Sequence, residues 1–525
     1  MFTVVVKRGP ASCVVLSVLR LTTVAGAVCV VVASFLSGGA TRASGVGLLW
    51  FVAGALVAAA LGPARSRKVR VAAAVLGIAT AVAAVVRLVL DVRGGVPGLD
   101  TPVLAVGAVG VAVGLLDSTS WRIRPVGLLV AVAMLATAMG APFAADRVAT
   151  ASTTRGVPDL TPEPVAEKPG GRQWSWQPPA DVSAMVAAGH GVVVAAADGS
   201  VTALDGLDGS RDWSYARAGA HVHALLASAD RRTVVAAFAS KTDSSNDLVV
   251  VLDADTGTAR FDRVVPSVLV ETGEILVGTK TLTIRDDAYA GYDIQTGDEL
   301  WHWSAPAGCV NPYTLPAQAR TVVLAALECG RSAGLVALDE VTGHERWRHV
   351  VETTGPDDER LAISPATTTD GAVVWLRLVG RAAAPGSVLN GLYDTETGRL
   401  LAQPDASRWV RMDVGPIPVT EEEKTSAEAL DPGTGTTHPI DLGACPVRSA
   451  DATTRHTYLR ACQDTGRDLT LFVQSFDGSA PTSRVVRMDG SGPLSDLRLV
   501  PAPGAIVLAR STYGGTPAPV VGFPG

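Results

Sequence analysis

Four cysteines in the second half of the chain fall into two local pairs, Cys309 with Cys329 and Cys445 with Cys462. Such pairs offer either disulfides or a thiolate metal site. Zinc fits poorly, because the chain has no Cys-x-x-Cys and neither pair has a His at finger spacing. Four cysteines permit three connectivities, and proximity favours the two local bridges in an oxidising compartment. Cys13 and Cys29 sit in an apolar run, where a thiol acts as a small hydrophobe. His221 and His223 are two apart and share a strand face, which suits a metal or a general base. With no third ligand apparent in the sequence, they are expected to be polar strand positions, and no metal site is expected. Glu421-Glu422-Glu423 and Asp357-Asp358-Glu359 read as solvated loop tips. The sequence carries no phosphate-cradling glycine loop and no Ser nucleophile motif.

The elements that hold these residues repeat. A β-rich run ends in Asp, followed by Thr-Gly or Asp-Gly and then a bulky residue. The copies are Asp205 with Gly209, Asp253 with Gly257, Asp293 with Gly297 and Trp301, and Asp339 with Gly343 and Trp347. Asp394 with Gly398, a degenerate Asp431 with Gly435, and Asp477 with Gly478 complete the series. The period is about 45 residues, the length of a four-stranded propeller blade. In each copy the Asp braces a tight turn, the Gly takes positive φ, and the bulky residue opens the outer strand. These Asp residues are therefore architecture rather than metal ligands. One blade leaves both faces of its sheet uncovered, whereas neighbours packed in a ring cover them.

The Leu-Asp-x-x-Thr-Gly-x-x-x-Trp pattern, sharpest in Ala337 to Trp347 and Tyr292 to Trp301, resembles the repeat of the pyrroloquinoline-quinone-like β-propeller superfamily. That group includes quinoprotein alcohol dehydrogenases and the propeller scaffold lipoprotein of outer-membrane assembly. The resemblance covers about residues 172–525 and implies eight blades, with seven as the alternative. Val520-Val521-Gly522-Phe523 matches the strand before a turn motif, and Gln173-Trp174-Ser175-Trp176 looks like Leu300-Trp301-His302-Trp303, the segment after one. The first and last segments are thus expected to share the closing blade, which removes an exposed edge. The dehydrogenases of the superfamily bind calcium and a quinone beside two adjacent cysteines. No two cysteines are adjacent here, so no cofactor is expected, and fold likeness alone does not carry the activity across.

The composition divides the chain again. Mean hydropathy is +0.29 and 48% of residues are apolar, with a net charge of −6. Through Thr150 there are 13 Lys and Arg against four Asp, net +9, which leaves 31 basic and 46 acidic residues, net −15, for the rest. The acidic part is a poor partner for nucleic acid, which requires a basic surface. The apolar runs near 14–36, 46–61, 71–90, 102–116 and 126–145 read as five membrane spans. Lys7, Arg8, Arg65, Arg67, Lys68, Arg70, Arg122 and Arg124 fall in alternate loops, against Arg42 and Arg93 in the others. The positive-inside rule then makes the N-terminus cytoplasmic and the repeats extracytoplasmic. Arg20 and Arg87 lie near the ends of their runs and can snorkel, and Arg87 has Asp91 one turn away.

The expected organisation is therefore a five-helix transmembrane domain over 1–148, a Pro/Thr/Gly linker over 149–171 and a propeller over 172–525. The excess of Arg over Lys with abundant Ala, Val and Gly is similar to high-GC organisms such as actinobacteria. The expected role is a non-catalytic binding or scaffolding module of the cell envelope. Its partners would be the lipid bilayer and an envelope protein or cell-wall component. A quinone- or metal-dependent oxidoreductase and an envelope sensor stand as alternatives.

Overall fold

Short Val- and Ala-rich runs separated by glycine turns form eight antiparallel sheets arranged in a ring. The computed structural model describes residues 10–36, 45–61, 66–116, 126–156, 161–241, 245–311, 316–354, 362–379, 382–383, 391–405, 408–422, 426–441, 445, 448–463, 468–488, 494–512 and 515–525. Numbered along the chain, blade 1 covers 182–217, blade 2 220–266, blade 3 275–303 and blade 4 317–354. Blade 5 covers 362–402, blade 6 409–440, blade 7 448–487 and blade 8 494–524. The chain starts each blade at the innermost strand and works outward. Second strands such as Thr233–Ser240 are buried along their whole length, because both faces of a blade meet neighbours. Each seam consequently has its own core. Trp213 and Ala203 of blade 1, for example, pack with Val234, Ala236 and Phe238 of blade 2.

The ring closes on blade 8. Trp174–Trp176 forms its outer strand, pairing Trp174 with Gly522 and Trp176 with Val520. Eight blades result, with no unpaired seam between the ends of the ring.

The expected five-span transmembrane bundle is not upheld. Five helices do precede the propeller: α1 (Pro10–Ala33), α2 (Gly45–Leu61), α3 (Arg67–Arg93), α4 (Asp100–Leu116) and α5 (Val126–Ala149). Among the described residues only α3 is long and apolar enough to cross a membrane, with a mean hydropathy of 2.3. The other apolar stretches recognised, Thr22–Ala33, Trp50–Leu61 and Asp100–Leu115, are shorter. The sixth helix, Ser267–Glu271, is a single short turn between blades 2 and 3. The physical reason is that Gly, Ala and Val serve tight helix packing as well as they serve lipid contact. On α4, Leu104, Ala108 and Val111 are buried, and a Cβ on Gly26 of α1 would lie 2.7 Å from the Gly107 carbonyl oxygen. Arg87 and Asp91 pair on α3, with Nε 3.0 Å from Oδ1.

The propeller has two distinct ends. The Asp-x-x-Thr-Gly turns lie at one, here the turn end. The crossings from blade to blade lie at the other, the helix end, where α5 arrives. From α5 the chain runs directly into a strand, Thr150–Thr153, that pairs with the outer strand of blade 1. Past the turn end it becomes a strap. Val165 bridges Pro503, the Ala166 N–H donates to the Ala502 carbonyl, and the Gly170 N–H donates to the Pro524 carbonyl.

Candidate functional site

The repeated turns share one hydrogen-bond pattern. At Asp339 the carboxylate accepts from the N–H groups of Val341 (3.0 Å) and Thr342 (2.9 Å), while the Gly343 N–H donates to the Asp339 carbonyl (2.9 Å). Asp205, Asp253, Asp293, Asp394 and Asp431 each brace their turns from the same carboxylate oxygen, and Gly209, Gly257, Gly297, Gly398 and Gly435 close them. Gly478 belongs to a variant turn, in which the Asp477 carboxylate accepts from the Ser479 N–H. Burial works against ionisation of Asp253, Asp339 and Asp431, but it is outweighed by hydrogen bonds, from Arg260 and the turn for Asp253, from the turn and Arg346 for Asp339, and from the turn for Asp431. All three titrate below the ordinary carboxylate value.

The outer-strand aromatics link these turns from blade to blade. Trp301 donates its indole N–H to the Glu340 carbonyl in the next blade (2.7 Å), and Trp347 does the same to Thr395 (2.9 Å). Sequence reading placed Trp301 and Trp347 at the start of outer strands without assigning this bond. Trp174, matched to Trp301 by its strand, bonds to Gly206 (2.8 Å) in the same way, and so does Trp213, absent from the sequence series, to Ala254 (2.7 Å). The signal was present, since Trp213 follows Asp205 at the interval at which Trp347 follows Asp339. The ring rests on the next turn's glycine. A Cβ on Gly343 would lie 2.7 Å from Trp301, so Gly is required there both for φ +67° and for contact.

Both cysteine pairs are bonded and sit at the helix end. Cys309 in the crossing to blade 4 joins Cys329 at the end of that blade's second strand. Cys445, in the crossing to blade 7, joins Cys462 in that blade's second strand. Glu421 pairs with Arg411 (3.3 Å). The 357–359 acids and Glu423 lie outside the described residues.

His221 and His223 occupy the innermost strand of blade 2, with ring centres 6.2 Å apart. A bulge between Val222 and Ala224 turns His223 toward Asp247, whose Oδ2 lies 2.6 Å from His223 Nδ1. Ser267 Oγ donates to the other Asp247 oxygen (2.7 Å). Burial and the neighbouring His223 push the His221 pKa down. Among the described residues no group of three His, Cys, Asp or Glu is arranged to hold a metal ion. The Asp247–Ser267 partnership could not be read in advance, because it joins a strand and a short helix brought together only by the fold.

Two further features mark the helix end. Arg217 is almost fully buried where α5 meets blade 1. It donates to Asp146 (2.7 Å), to the Gly95 carbonyl (3.3 Å) and to the Tyr215 hydroxyl (3.0 Å). Burial opposes its charge, but Tyr215 and Asp146 more than offset that. Beside the channel, Trp409 on the innermost strand of blade 6 is 55% exposed. Trp375 of blade 5 holds it edge-on with centroids 5.6 Å apart, and Arg377 stacks on its ring at 4.6 Å.

An eight-bladed ring with a Trp-capped Asp-x-x-Thr-Gly turn defines the class, a pyrroloquinoline-quinone-like β-propeller repeat protein. The chain belongs to the family described as outer membrane protein assembly factor BamB, which it matches over residues 116–267 and 220–437. Among solved structures it is similar to BamB from Moraxella catarrhalis, at 17% identity and TM-score 0.40, covering 66% of this chain and 98% of that one. The computationally designed Ika8 protein matches at 18% identity and TM-score 0.40, covering 66% and 97%. The WD40 domain of SCAP from fission yeast matches at 9% identity and TM-score 0.38, covering 68% and 97%. No curated protein matches the chain.

Proposed function

We propose that the chain is a non-catalytic scaffold of the cell envelope, with the propeller outside the cytoplasm and an envelope protein as its partner. The family supports the class of role, since its description names an assembly factor. The observation that carries the reading here is the Trp409 ledge. A large aromatic ring left 55% exposed, yet fixed by Trp375 and Arg377, is of the residue types that dominate protein interfaces and loses little entropy on docking. The two disulfides support an oxidising compartment. Arg67, Lys68 and Arg70 at the start of α3 support an orientation that leaves the following chain outside. In this reading 1–148 is the anchoring helical domain, 149–171 the linker and 172–525 the propeller.

A photo-crosslinking residue at position 409 of the full chain tests the proposal. It should capture a discrete envelope protein, and a Trp375→Ala or Arg377→Ala change should weaken capture from a neighbouring position without unfolding the ring. Calcium- and quinone-dependent dye reduction by the purified chain would replace the scaffold with an oxidoreductase. Degradation of the propeller by protease added to spheroplasts checks the orientation, and full protection would reverse it.

A further inference from the structure

His221 and His223 stand two residues apart on the innermost strand of blade 2, and the fold supplies what their spacing alone lacks. Ala239 of the second strand pairs with His221 on one side and with Asp247 of the third strand on the other. A small side chain therefore stands between the imidazoles and the carboxylate, and the bulge at His223 lets its ring reach across. His223 Nδ1 lies 2.6 Å from Asp247 Oδ2. Asp247 is fully buried, and Ser267, which opens the short helix leading to blade 3, donates to its other oxygen at 2.7 Å.

This arrangement decides which nitrogen carries the proton. An ionised carboxylate only accepts hydrogen bonds, so Nδ1 is the donor and the neutral ring keeps its lone pair on Nε2. Among the described residues no hydrogen bond engages His223 Nε2 or either nitrogen of His221. The His223 side chain is 26% exposed, so the free nitrogen can be reached. Histidines that bind a metal nearly always donate their second ring nitrogen to a carboxylate or carbonyl, which fixes the ring and makes the coordinating nitrogen more basic. Asp247 and Ser267 are that support, already built behind His223. An Asp–His pair that served the fold alone would give His221 no part. Its ring centre lies 6.2 Å from that of His223. Bonds of about 2.0–2.1 Å to one shared ion would place two imidazole centres about 5–6 Å apart, within a small side-chain adjustment of this separation.

We propose that His221 and His223 form a two-histidine site for a divalent transition-metal ion of the nickel, copper and zinc group, with Asp247 and Ser267 orienting His223 from behind. Imidazole suits these ions, whereas magnesium and calcium require oxygen ligands. The protein supplies two ligands rather than three, and water fills the remaining positions. The site does not depend on the scaffold reading.

The test uses the full chain in detergent, without an affinity tag and stripped with chelator, titrated by calorimetry with Ni²⁺ and, separately, with Zn²⁺. Cu²⁺ is followed by electron paramagnetic resonance. One saturable equivalent is expected, and the copper spectrum should show coupling to two nitrogens. His221→Ala and His223→Ala should each remove that event. Asp247→Asn, which touches no metal, should weaken it about 10–100-fold, the usual cost of losing such a supporting group. Ser267→Ala should weaken it by a smaller factor. Because His221 makes no hydrogen bond among the described residues, the metal-free Tm of His221→Ala should match that of the parent, which separates lost coordination from lost folding. Absence of saturable binding by all three ions, binding retained in His221→Ala, or unchanged affinity in Asp247→Asn would overturn the proposal.

Discussion

The seams on the two sides of the ring are built differently. From blade 8 through blade 1 to blade 5, an aromatic ring from each outer strand rests on the glycine of the next turn. Trp174, Trp213, Trp301 and Trp347 also donate an indole N–H to that turn, while Phe261 rests on Gly297 without a donor. From blade 5 round to blade 8 the device is absent among the described residues. Ala402, opposite Leu392, holds the register that Trp347 holds opposite Ala337. His438 takes that register in blade 6 and stacks on Phe476 instead, with centroids 5.1 Å apart. At the last seam Arg484 bonds to the Gly170 carbonyl of the strap and covers Phe523. One side repeats a single solution, and the other solves each seam separately. A ring tolerates this because every seam buries its own apolar core, so the aromatic link adds to a contact that already exists.

The largest test of that difference is truncation on each side. Trp213 is fully buried and bonded. Trp213→Ala should cost about 3–5 kcal/mol, the range for deleting a buried indole. His438→Ala should cost only about 1 kcal/mol, the worth of a stacked pair. Thermal unfolding of the two variants measures both, and equal losses would erase the distinction. Next in size are the glycines. Gly343 and Gly435 have φ +67° and +72°, but a Cβ on Gly343 meets Trp301 while a Cβ on Gly435 meets nothing within 4 Å. Both Ala substitutions carry the backbone penalty of about 1–2 kcal/mol, and only Gly343→Ala adds overpacking of about 1–3 kcal/mol. Smaller still, Ala402→Trp should raise stability by about 1 kcal/mol by giving blade 5 the ring that blade 4 has in Trp347. A destabilised variant would show that the fifth seam has closed over that space.

Much of this was legible in the residues because turn chemistry is local. The bracing of the turn by Asp339 lies within one stretch of chain, and Gln173 to Trp176 announces ring closure by resembling an outer strand. The irregular seams were not legible, since Ala402 and His438 acquire meaning only beside partners in another blade. His223 needed both a bulge and Asp247 to be understood. The helical part misled for a different reason. Runs of Ala, Val and Gly satisfy a bilayer and a close helix crossing equally, and residues such as Gly26, Gly107 and Val111 are spent on the crossing.

The smallest expected effect is the pH response of the turns, and it separates turn bracing from the ion pair that one of them adds. Asp339 lies in a turn capped by Trp301, whereas Asp431 lies in one without a cap. Hydrogen bonds nevertheless hold both carboxylates below the ordinary value of 3.8, against the opposing effect of burial. A carboxylate whose folded pKa is depressed contributes stability that is complete above its unfolded pKa and is lost as pH falls through the folded one. Stability should therefore fall between pH 5 and about 3, and Asp339→Asn and Asp431→Asn should each flatten that fall. If bracing is a property of the turn alone, the two variants flatten it alike in Tm measured against pH. A clearly larger effect at Asp339 would measure its ion pair with Arg346 (2.6 Å), for which Asp431 has no arginine counterpart among the described residues, and Arg346→Gln should then cancel the excess.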